Sequence, residues 1–360
     1  MNKPLQPGGG PGLGNRPGGG NRPANGNRPG RPNRPGDGNR PGIGNRPGDG
    51  NRPGQGNRPN RPNNIGNDIN LNINNRPTWA NIDNNRFNNI NNQWRDNIVN
   101  RPDRGNWYNN HRDRYDHWHG WGNNVRDHWG HHHHHGDWFR GDWWNHHHHG
   151  WGGWHYHNHY HNHGWNYWWT VPTVAAVSSW FTWQAPAAVW QQPVYYDYGQ
   201  GGNVYYENNT VYVDGDELCS ADEYAQTAAT LATVEPPANE EEAEQMEWMA
   251  LGTFAVSSNE NESEPSRVIQ LAVSKTGIIS GTLYNTQTDE AQTVQGQVDK
   301  DTQRVAVRIG ESDKIVVETG IYNLTQDEAP VLVHYGTEQT ENWLLVRLDE
   351  PDSDEESADS

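Results

Sequence analysis

Histidine is the residue type whose spacing in this sequence most clearly suggests chemistry. Of the 19 histidines, 18 lie between His111 and His163. They include two contiguous groups and one alternating run: His131, His132, His133, His134, His135; His146, His147, His148, His149; and His155, His157, His159, His161, His163. In an extended chain, alternate residues project from one face about 7 Å apart. The alternating run therefore predicts a face crowded with imidazole rings.

These fourteen histidines suggest metal binding, because imidazole nitrogen is a good ligand for Cu²⁺, Ni²⁺ and Zn²⁺. A catalytic zinc centre needs a fixed set of three protein ligands, and no such spacing is present here. The sequence thus predicts a flexible binder of several Cu, Ni or Zn ions, with a solvated polar tract as the alternative. No other cofactor is expected.

The same histidines can also change the charge of the chain, since imidazole titrates near pH 6.5. Residues 1–169 contain 20 of the 27 basic residues and 11 aspartates, for a net charge of +9. The rest of the chain holds 7 basic and 34 acidic residues, a net charge of −27. We therefore expect the cationic and acidic halves to self-associate in mild acid. Anionic surface polymers are a further candidate partner, whereas nucleic acid is not expected because the acidic half repels it.

Motifs of the common enzyme classes are missing from the sequence. It has no nucleophile elbow, no phosphate-binding loop and no His-Glu-x-x-His helix. His334 lies within an apolar run and Cys219 precedes a helix cap, so both are interpreted as structural residues. The sequence predicts a protein that is not an enzyme.

Low-complexity sequence fills the first half of the chain. Asn-Arg-Pro triplets recur every six residues from Asn15 to Asn57, and proline and glycine disfavour both helix and sheet. We expect residues 1–78 to be disordered and residues 79–169 to be a His-, Trp- and Asn-rich low-complexity segment. The stretch Asn64–Val99 is predicted to be irregular, since asparagine is a poor helix former.

A short structured segment is predicted at residues 170–234. Strands are expected at Val194–Tyr196, Val204–Tyr206 and Val211–Val213, the last two joined by a tight turn at Asn208-Asn209. Ser220 and Glu223 have the spacing of a capping box before a helix that continues to Val234. An acidic linker follows at residues 235–247.

Residues 248–349 are predicted to form an all-β antiparallel meander, closed as a small barrel or sandwich, before an acidic tail at residues 350–360. The period-two alternation predicts eight strands, at Ala250–Val256, Arg267–Ser274, Ile278–Asn285, Thr293–Val298, Gln303–Ile309, Ile315–Thr319, Val331–Tyr335 and Trp343–Leu348. In the fifth strand, Arg304 and Arg308 are expected to face water. Trp248 and Trp343 are interpreted as core residues or plugs at the barrel ends, with ligand stacking as the alternative.

Several segments resemble a family of proteins. These are Val204–Gly215, Glu223–Ala225, Trp248–Gly252, Gln270–Val273, Tyr284–Asp289 and Trp343–Leu348, together with the Asn-Arg-Pro repeats. They are similar to uncharacterised bacterial mu-protocadherin-like proteins of the cell surface. The resemblance implies a surface or exported location and no known activity, although the sequence as given has neither a signal peptide nor a transmembrane span.

These observations lead to three functional hypotheses. The leading one is a nonenzymatic structural or interaction protein of the cell surface or envelope, with a disordered, pH-titratable cationic arm. The second is a His-rich metal-binding protein. The third is a carrier that holds a small ligand inside the β domain.

Overall fold

The computed structural model describes residues 76–101, 107–132, 138–139, 141–147, 165–183, 187–235, 242, 245–262 and 264–350. Disorder was predicted for residues 1–78, of which residues 1–75 lie outside the described residues. Most of the acidic linker and the acidic tail from residue 351 lie outside them as well. None of the described helices is long and apolar enough to cross a membrane.

Eight strands of the C-terminal region form a closed antiparallel barrel, as the alternating sequence predicts. They are β4 Trp248–Ser257, β5 Arg267–Ser274, β6 Ile278–Asn285, β7 Glu290–Val298, β8 Arg304–Ile309, β9 Ile315–Gly320, β10 Glu328–Tyr335 and β11 Gln339–Arg347. Each strand pairs with the next along the chain, and β11 closes the barrel by pairing with β4. The predicted meander is confirmed, and it closes as a barrel.

Side chains alternate between the inside and the outside of this barrel. Along β8, Val305, Val307 and Ile309 point inward and pack with apolar residues from the other strands. The period of two therefore gives the barrel an apolar interior. A 3-10 helix at Asn323–Thr325 lies between β9 and β10.

The predicted hairpin and helix precede the barrel, and a third strand that was not predicted extends the hairpin to a three-stranded sheet. The elements are β1 Val204–Glu207, β2 Thr210–Val213, β3 Asp216–Ser220 and α7 Ala221–Leu231. The turn residues Asn208 and Asn209 have φ of 49° and 64°, the left-handed values that a two-residue hairpin needs. Ser220 and Glu223 form the predicted capping box at the start of α7.

The prediction of a strand at Val194–Tyr196 is wrong, because this stretch belongs to no sheet. Its backbone is hydrogen-bonded by side chains instead. The Val194 amide donates to Gln303 Oε1 at 3.0 Å, and the Tyr196 amide donates to Asn323 Oδ1 at 3.0 Å. Amide side chains from the barrel turns thus replace a neighbouring strand and satisfy the buried backbone.

The N-terminal part of the described chain is helical. Its helices are α1 Asn84–Asn100, α2 Trp107–Asn110, α3 Arg112–His132, α4 Gly141–His146, α5 Val174–Trp180 and α6 Ala187–Trp190, with a 3-10 helix at Trp165–Trp169.

Helix α1 corrects the prediction that Asn64–Val99 is irregular. Its buried residues Phe87, Ile90, Trp94 and Ile98 are spaced three or four apart and form one apolar stripe. Asp83 caps the helix by accepting a hydrogen bond from the Arg86 amide at 2.9 Å. Burial of this stripe outweighs the poor helix propensity of asparagine, because packing supplies most of the stability of helices in proteins.

Eight tryptophans of the predicted low-complexity segment are core residues that pack on the outward faces of β4, β5, β6 and β11. Together with Trp248 of β4 they form the Trp cluster, which comprises Trp118, Trp121, Trp129, Trp138, Trp143, Trp144, Trp168, Trp169 and Trp248. The Trp121 indole N–H donates to Ser257 Oγ on β4 at 2.9 Å. The segment is poor in apolar residues on average, but its indoles each bury a large area against a surface that lies elsewhere in the chain.

The prediction that Arg304 and Arg308 face water is also wrong. They point outward from the barrel, but their exposure is only 2% and 3% because the N-terminal layer covers them. Arg304 Nε donates to Glu318 Oε2 at 2.7 Å within a buried ion pair. Trp94 of α1 and Tyr224 of α7 stack on the guanidinium, at 4.4 and 4.7 Å from its carbon.

Groups from two further elements, α7 and β10, complete the Arg304–Glu318 pair. The Tyr224 hydroxyl donates to Glu318 Oε1 at 2.5 Å, and His334 Nε2 lies 3.6 Å from Glu318 Oε2. Burial alone would raise the pKa of Glu318, but the Arg304 charge and the hydrogen bonds outweigh it, so that pKa lies below its ordinary value. His334 is buried beside this ion pair, as expected for a structural histidine within an apolar strand.

Removing one member of the buried pair should destabilise the whole fold. We expect Glu318→Gln to lower the free energy of unfolding by about 3 to 5 kcal/mol, because Arg304 then remains buried without a counter-charge. Replacing both residues by methionine should recover most of this loss. Urea unfolding followed by tryptophan fluorescence measures the free energy of unfolding of both variants. The control is Asp96→Asn at an exposed position, which should lower the free energy of unfolding by less than about 1 kcal/mol. A loss below about 1 kcal/mol for Glu318→Gln would show that water reaches the pair.

A second ion pair joins α1 to α7 and gives a pH-dependent prediction. Arg86 donates to both carboxylate oxygens of Glu223, at 2.6 and 2.7 Å. The hydrogen bond from Arg86 is the main cause that lowers the pKa of Glu223 from 4.5 to about 2. Because the folded pKa is lowered, this stabilisation is present above pH 4.5 and is lost as pH falls toward 2.

Glu223→Gln should accordingly destabilise the fold at pH 7 by about 1 kcal/mol, a small value because the pair is partly exposed. The difference in free energy of unfolding between Glu223→Gln and the natural chain should shrink steadily between pH 5 and pH 2.5. Over this range Glu223 becomes protonated first in the unfolded chain and then in the folded chain. Urea unfolding at several pH values measures it, and the exposed Glu311→Gln provides the control. If the loss of unfolding free energy in Glu223→Gln does not depend on pH, the ionised Arg86–Glu223 pair is not its cause.

Candidate functional site

The inward faces of the barrel strands leave a cavity of about 230 Å³. Apolar side chains from seven strands line most of it: Val256, Ile269, Leu271, Leu283, Val305, Val307, Ile309, Ile315, Val317, Val331, Trp343 and Leu345. An eight-stranded barrel is wide enough either to be filled by its own side chains or to hold one small ligand. This barrel leaves room for a small molecule.

The floor of the barrel is the end that holds the turns β5–β6, β7–β8 and β9–β10. Arg347 crosses this end and donates to the carbonyls of Leu251 at 3.0 Å and Leu324 at 2.7 Å. Its guanidinium also lies over the Phe254 ring, 4.5 Å from the centroid. Burial lowers the pKa of Arg347 to about 10, so the side chain remains charged at neutral pH.

Gly252 makes room for this arginine. It lies at a bulge in β4 with φ of 122°, and a Cβ at this position would collide with the Arg347 guanidinium. The floor is thus fixed by hydrogen bonds from one side chain to several backbone carbonyls. Such a crosslink keeps the lower end of the barrel closed.

Four aromatic residues before the β1–β3 sheet cover the floor from outside. They are Trp180, Phe181, Trp183 and Trp190, which pack against the inward-facing core. The Trp180 indole donates to the Val273 carbonyl at 3.1 Å, and the Trp190 indole donates to the Lys300 carbonyl at 2.6 Å. Both acceptors belong to the floor end, so these indoles tie the aromatic cover to the barrel there.

The opposite end of the barrel is the mouth, and it is polar. Arg267 begins β5, Asn285 ends β6, and Glu290 and Gln292 lie at the start of β7; all four line the cavity. Glu290 and Gln292 are exposed, whereas Arg267 and Asn285 are half-buried. The cavity therefore joins an apolar interior to a polar rim, an arrangement typical of small-molecule sites.

The two tryptophans predicted as core or barrel-end residues have different positions. Trp343 lines the cavity near the mouth. Its indole N–H donates to Glu341 Oε2 at 2.9 Å, which fixes the ring. Trp248 belongs to the Trp cluster on the outside of the barrel and takes no part in the cavity.

The histidines predicted as metal ligands fall mostly outside the described residues. His131 and His132 end helix α3, and His146 ends α4. His133, His134, His135, His148, His149, His155, His157, His159, His161 and His163 lie outside the described part of the chain. Among the residues that the structure describes, no three His, Cys, Asp or Glu side chains come together as a metal site.

His147 is the predicted ligand whose contacts the structure defines best. Its ring stacks on Trp143 at 4.1 Å. Nδ1 lies 2.9 Å from the Trp143 carbonyl, and Nε2 lies 2.8 Å from Asp289 Oδ1. Both partners are acceptors, so both contacts are hydrogen bonds only when the ring carries two protons. In this arrangement His147 ties α4 to the β6–β7 turn, and both nitrogens are engaged.

Cys219 is buried, in agreement with its interpretation as a packed thiol. Burial raises the pKa of this thiol to about 12, so it is protonated at neutral pH.

A second cavity, of about 390 Å³, lies between α1, α2 and the β1–β3 sheet. Its lining is mostly polar and includes the Arg101–Asp214 ion pair, with 2.8 Å between Arg101 Nη1 and Asp214 Oδ1. Trp107 is held between the Arg101 guanidinium at 4.4 Å and the His111 ring at 3.4 Å. Both faces of this indole are occupied, so it offers no free stacking surface.

The sequence indicates the barrel interior as a binding site and Trp343 as a residue for ligand stacking, but Arg267 was not predicted. A signal was present, because Arg267 is a charged residue that opens a mainly apolar strand. The proximity of Arg267 and Trp343 depends on the closure of β11 onto β4, which the alternation of residues does not specify. Comparisons with protein families, with characterised proteins and with solved structures find no match to this chain.

Proposed function

We propose that this chain is a nonenzymatic binding protein whose barrel holds one small, mainly apolar molecule. The observation that carries the proposal is the preformed apolar cavity, which has the Arg347 crosslink at its floor and a polar rim at its mouth. Compact β proteins fill their interiors to near crystal density, so an unfilled lumen of this size calls for an explanation. Occupation by a ligand is the simplest one.

Apolar chemistry would supply most of the affinity. Transfer of a methylene group from water to such an interior is worth roughly 0.8 kcal/mol, so an alkyl chain of six carbons would contribute on the order of 5 kcal/mol. The rigid floor adds to this, because a preformed site has little conformational freedom to lose on binding. The rim residues would then set the orientation of the ligand.

The proposal develops the third of the functional hypotheses that arise from the sequence. A location at the cell surface or envelope, the resemblance to mu-protocadherin-like proteins and metal binding by the histidine-rich segment stay predictions. We propose no function for the polar cavity beside Arg101.

A variant that fills the cavity should abolish binding. We expect the natural chain to bind one molecule of the uncharged fluorophore N-phenyl-1-naphthylamine, with enhanced emission. Leu283→Trp places an indole in the lumen near the mouth and should weaken this binding at least roughly tenfold, a loss of about 1.4 kcal/mol. Because the cavity can accept the ring, the free energy of unfolding should change by less than about 1.5 kcal/mol.

Val171→Trp is the matched control, since Val171 is 51% exposed and lies outside the barrel. It adds the same indole and should leave fluorophore binding unchanged. Ile309→Trp, at the mouth end of β8, is a second blocking variant if Leu283→Trp does not fold. Unaltered binding in a folded blocking variant would exclude the lumen as the site.

A further inference from the structure

Arg267 is the cationic side chain at the mouth of the cavity. It is the first residue of β5 and pairs with Asn285, the last residue of β6, where the two strands reach the rim. It lines the cavity and is half-buried. A ligand that enters the lumen must therefore pass within reach of this guanidinium.

The Arg267 side chain is held in place by an aromatic ring. Its guanidinium carbon lies 4.5 Å from the centroid of Trp343. The Trp343 ring is fixed in turn by Glu341, which also accepts from the Tyr335 hydroxyl at 3.2 Å and from Gln339 Nε2 at 3.0 Å. Stacking on an aromatic ring positions an arginine through its flat face and leaves the N–H groups at its edges available.

Within the described part of the chain, no acceptor is within hydrogen-bond or ion-pair distance of Arg267. Two carboxylates at the same end of the barrel are Glu341 and Glu290. Glu341 already accepts from three side chains, and Glu290 is exposed and accepts a long hydrogen bond of 3.4 Å from Thr288. Arg267 thus presents a fork of donors to the mouth of the cavity.

We propose that the ligand is an apolar monocarboxylate, with its tail in the lumen and its carboxylate on Arg267. This inference rests on the proposed function and names the ligand class of the same site. A planar carboxylate matches the guanidinium fork with two parallel hydrogen bonds, and such charge-assisted bonds are stronger than neutral ones. The apolar lining has no comparable partner for a second charge deeper in the cavity.

The volume of the cavity limits the tail. It is about 230 Å³, larger than a cavity of roughly 150 Å³ that holds benzene and smaller than the roughly 300 Å³ at which sites for larger organic ligands begin. A medium-length alkyl chain or a compact aromatic molecule fits this range. Octanoate is therefore a suitable probe, and 1-octanol is its uncharged counterpart of equal length.

The test is isothermal titration of the full chain with octanoate and with 1-octanol. We expect octanoate to bind more tightly than 1-octanol to the natural chain. Arg267→Gln should raise the dissociation constant of octanoate roughly 10- to 100-fold, the effect of a lost hydrogen bond to a charged group. The constant for 1-octanol should be unchanged, and Arg267→Lys should be intermediate for octanoate. Arg112→Gln is the matched control, because it removes the same charge from an exposed position at the start of α3.

The outcomes separate the two proposals. If 1-octanol or N-phenyl-1-naphthylamine binds but octanoate is not favoured, or if Arg267→Gln weakens both octyl ligands equally, the carboxylate inference is wrong and the binding barrel stands. If Arg112→Gln weakens octanoate as much as Arg267→Gln does, the charge acts at long range and the inference is again wrong. If none of the probes binds, the proposed function fails as well.

Discussion

The Arg304–Glu318 ion pair lies on the outward face of the barrel, where an antiparallel sheet commonly meets water. A charged pair in a dry environment is costly unless each charge finds further partners. Here the partners come from α1 and α7, whose residues Trp94 and Tyr224 lie over the guanidinium. The barrel and the layer that precedes it in sequence must therefore form together. The N-terminal helices are part of the folded body.

This constraint explains why so much of the barrel wall is buried on both faces. The Trp cluster covers β4, β5, β6 and β11, whereas α7 covers β8 and β9. A wall supported from outside keeps its shape without tight packing inside. The outer layer thus supports the strands that surround the unfilled lumen, and the Arg347 side chain crosslinks one end of it.

Much of the β architecture could be predicted from sequence, because strand alternation and turn residues are local signals. The eight strands, the Asn208-Asn209 turn and the Ser220 cap are all of this kind. The burial of Arg304 was not predictable, since it depends on Trp94, which is distant in sequence. Helix α1 was missed for the same reason: its asparagines argue against a helix locally, and its stripe is stabilised by contacts made elsewhere.

The candidate site was only partly predictable. Alternation indicates which residues of a strand share a face, and so which residues point into the barrel. It does not determine whether the inward residues fill the space, because this depends on the diameter and the closure of the barrel. Arg267 and Trp343 belong to strands separated by most of the domain, and only the closed barrel brings them together.

The central claim is that a ligand binds inside the barrel, and methyl NMR tests it most directly. In a full-length chain with labelled Leu and Val methyl groups, bound 1-octanol should give intermolecular NOEs to Leu271, Val307 and Val331, which line the cavity. Leu344 and Val346 face the Trp cluster outside and should give none. NOEs confined to those outward-facing methyls, or none to the lining methyls at saturating 1-octanol, would contradict the account.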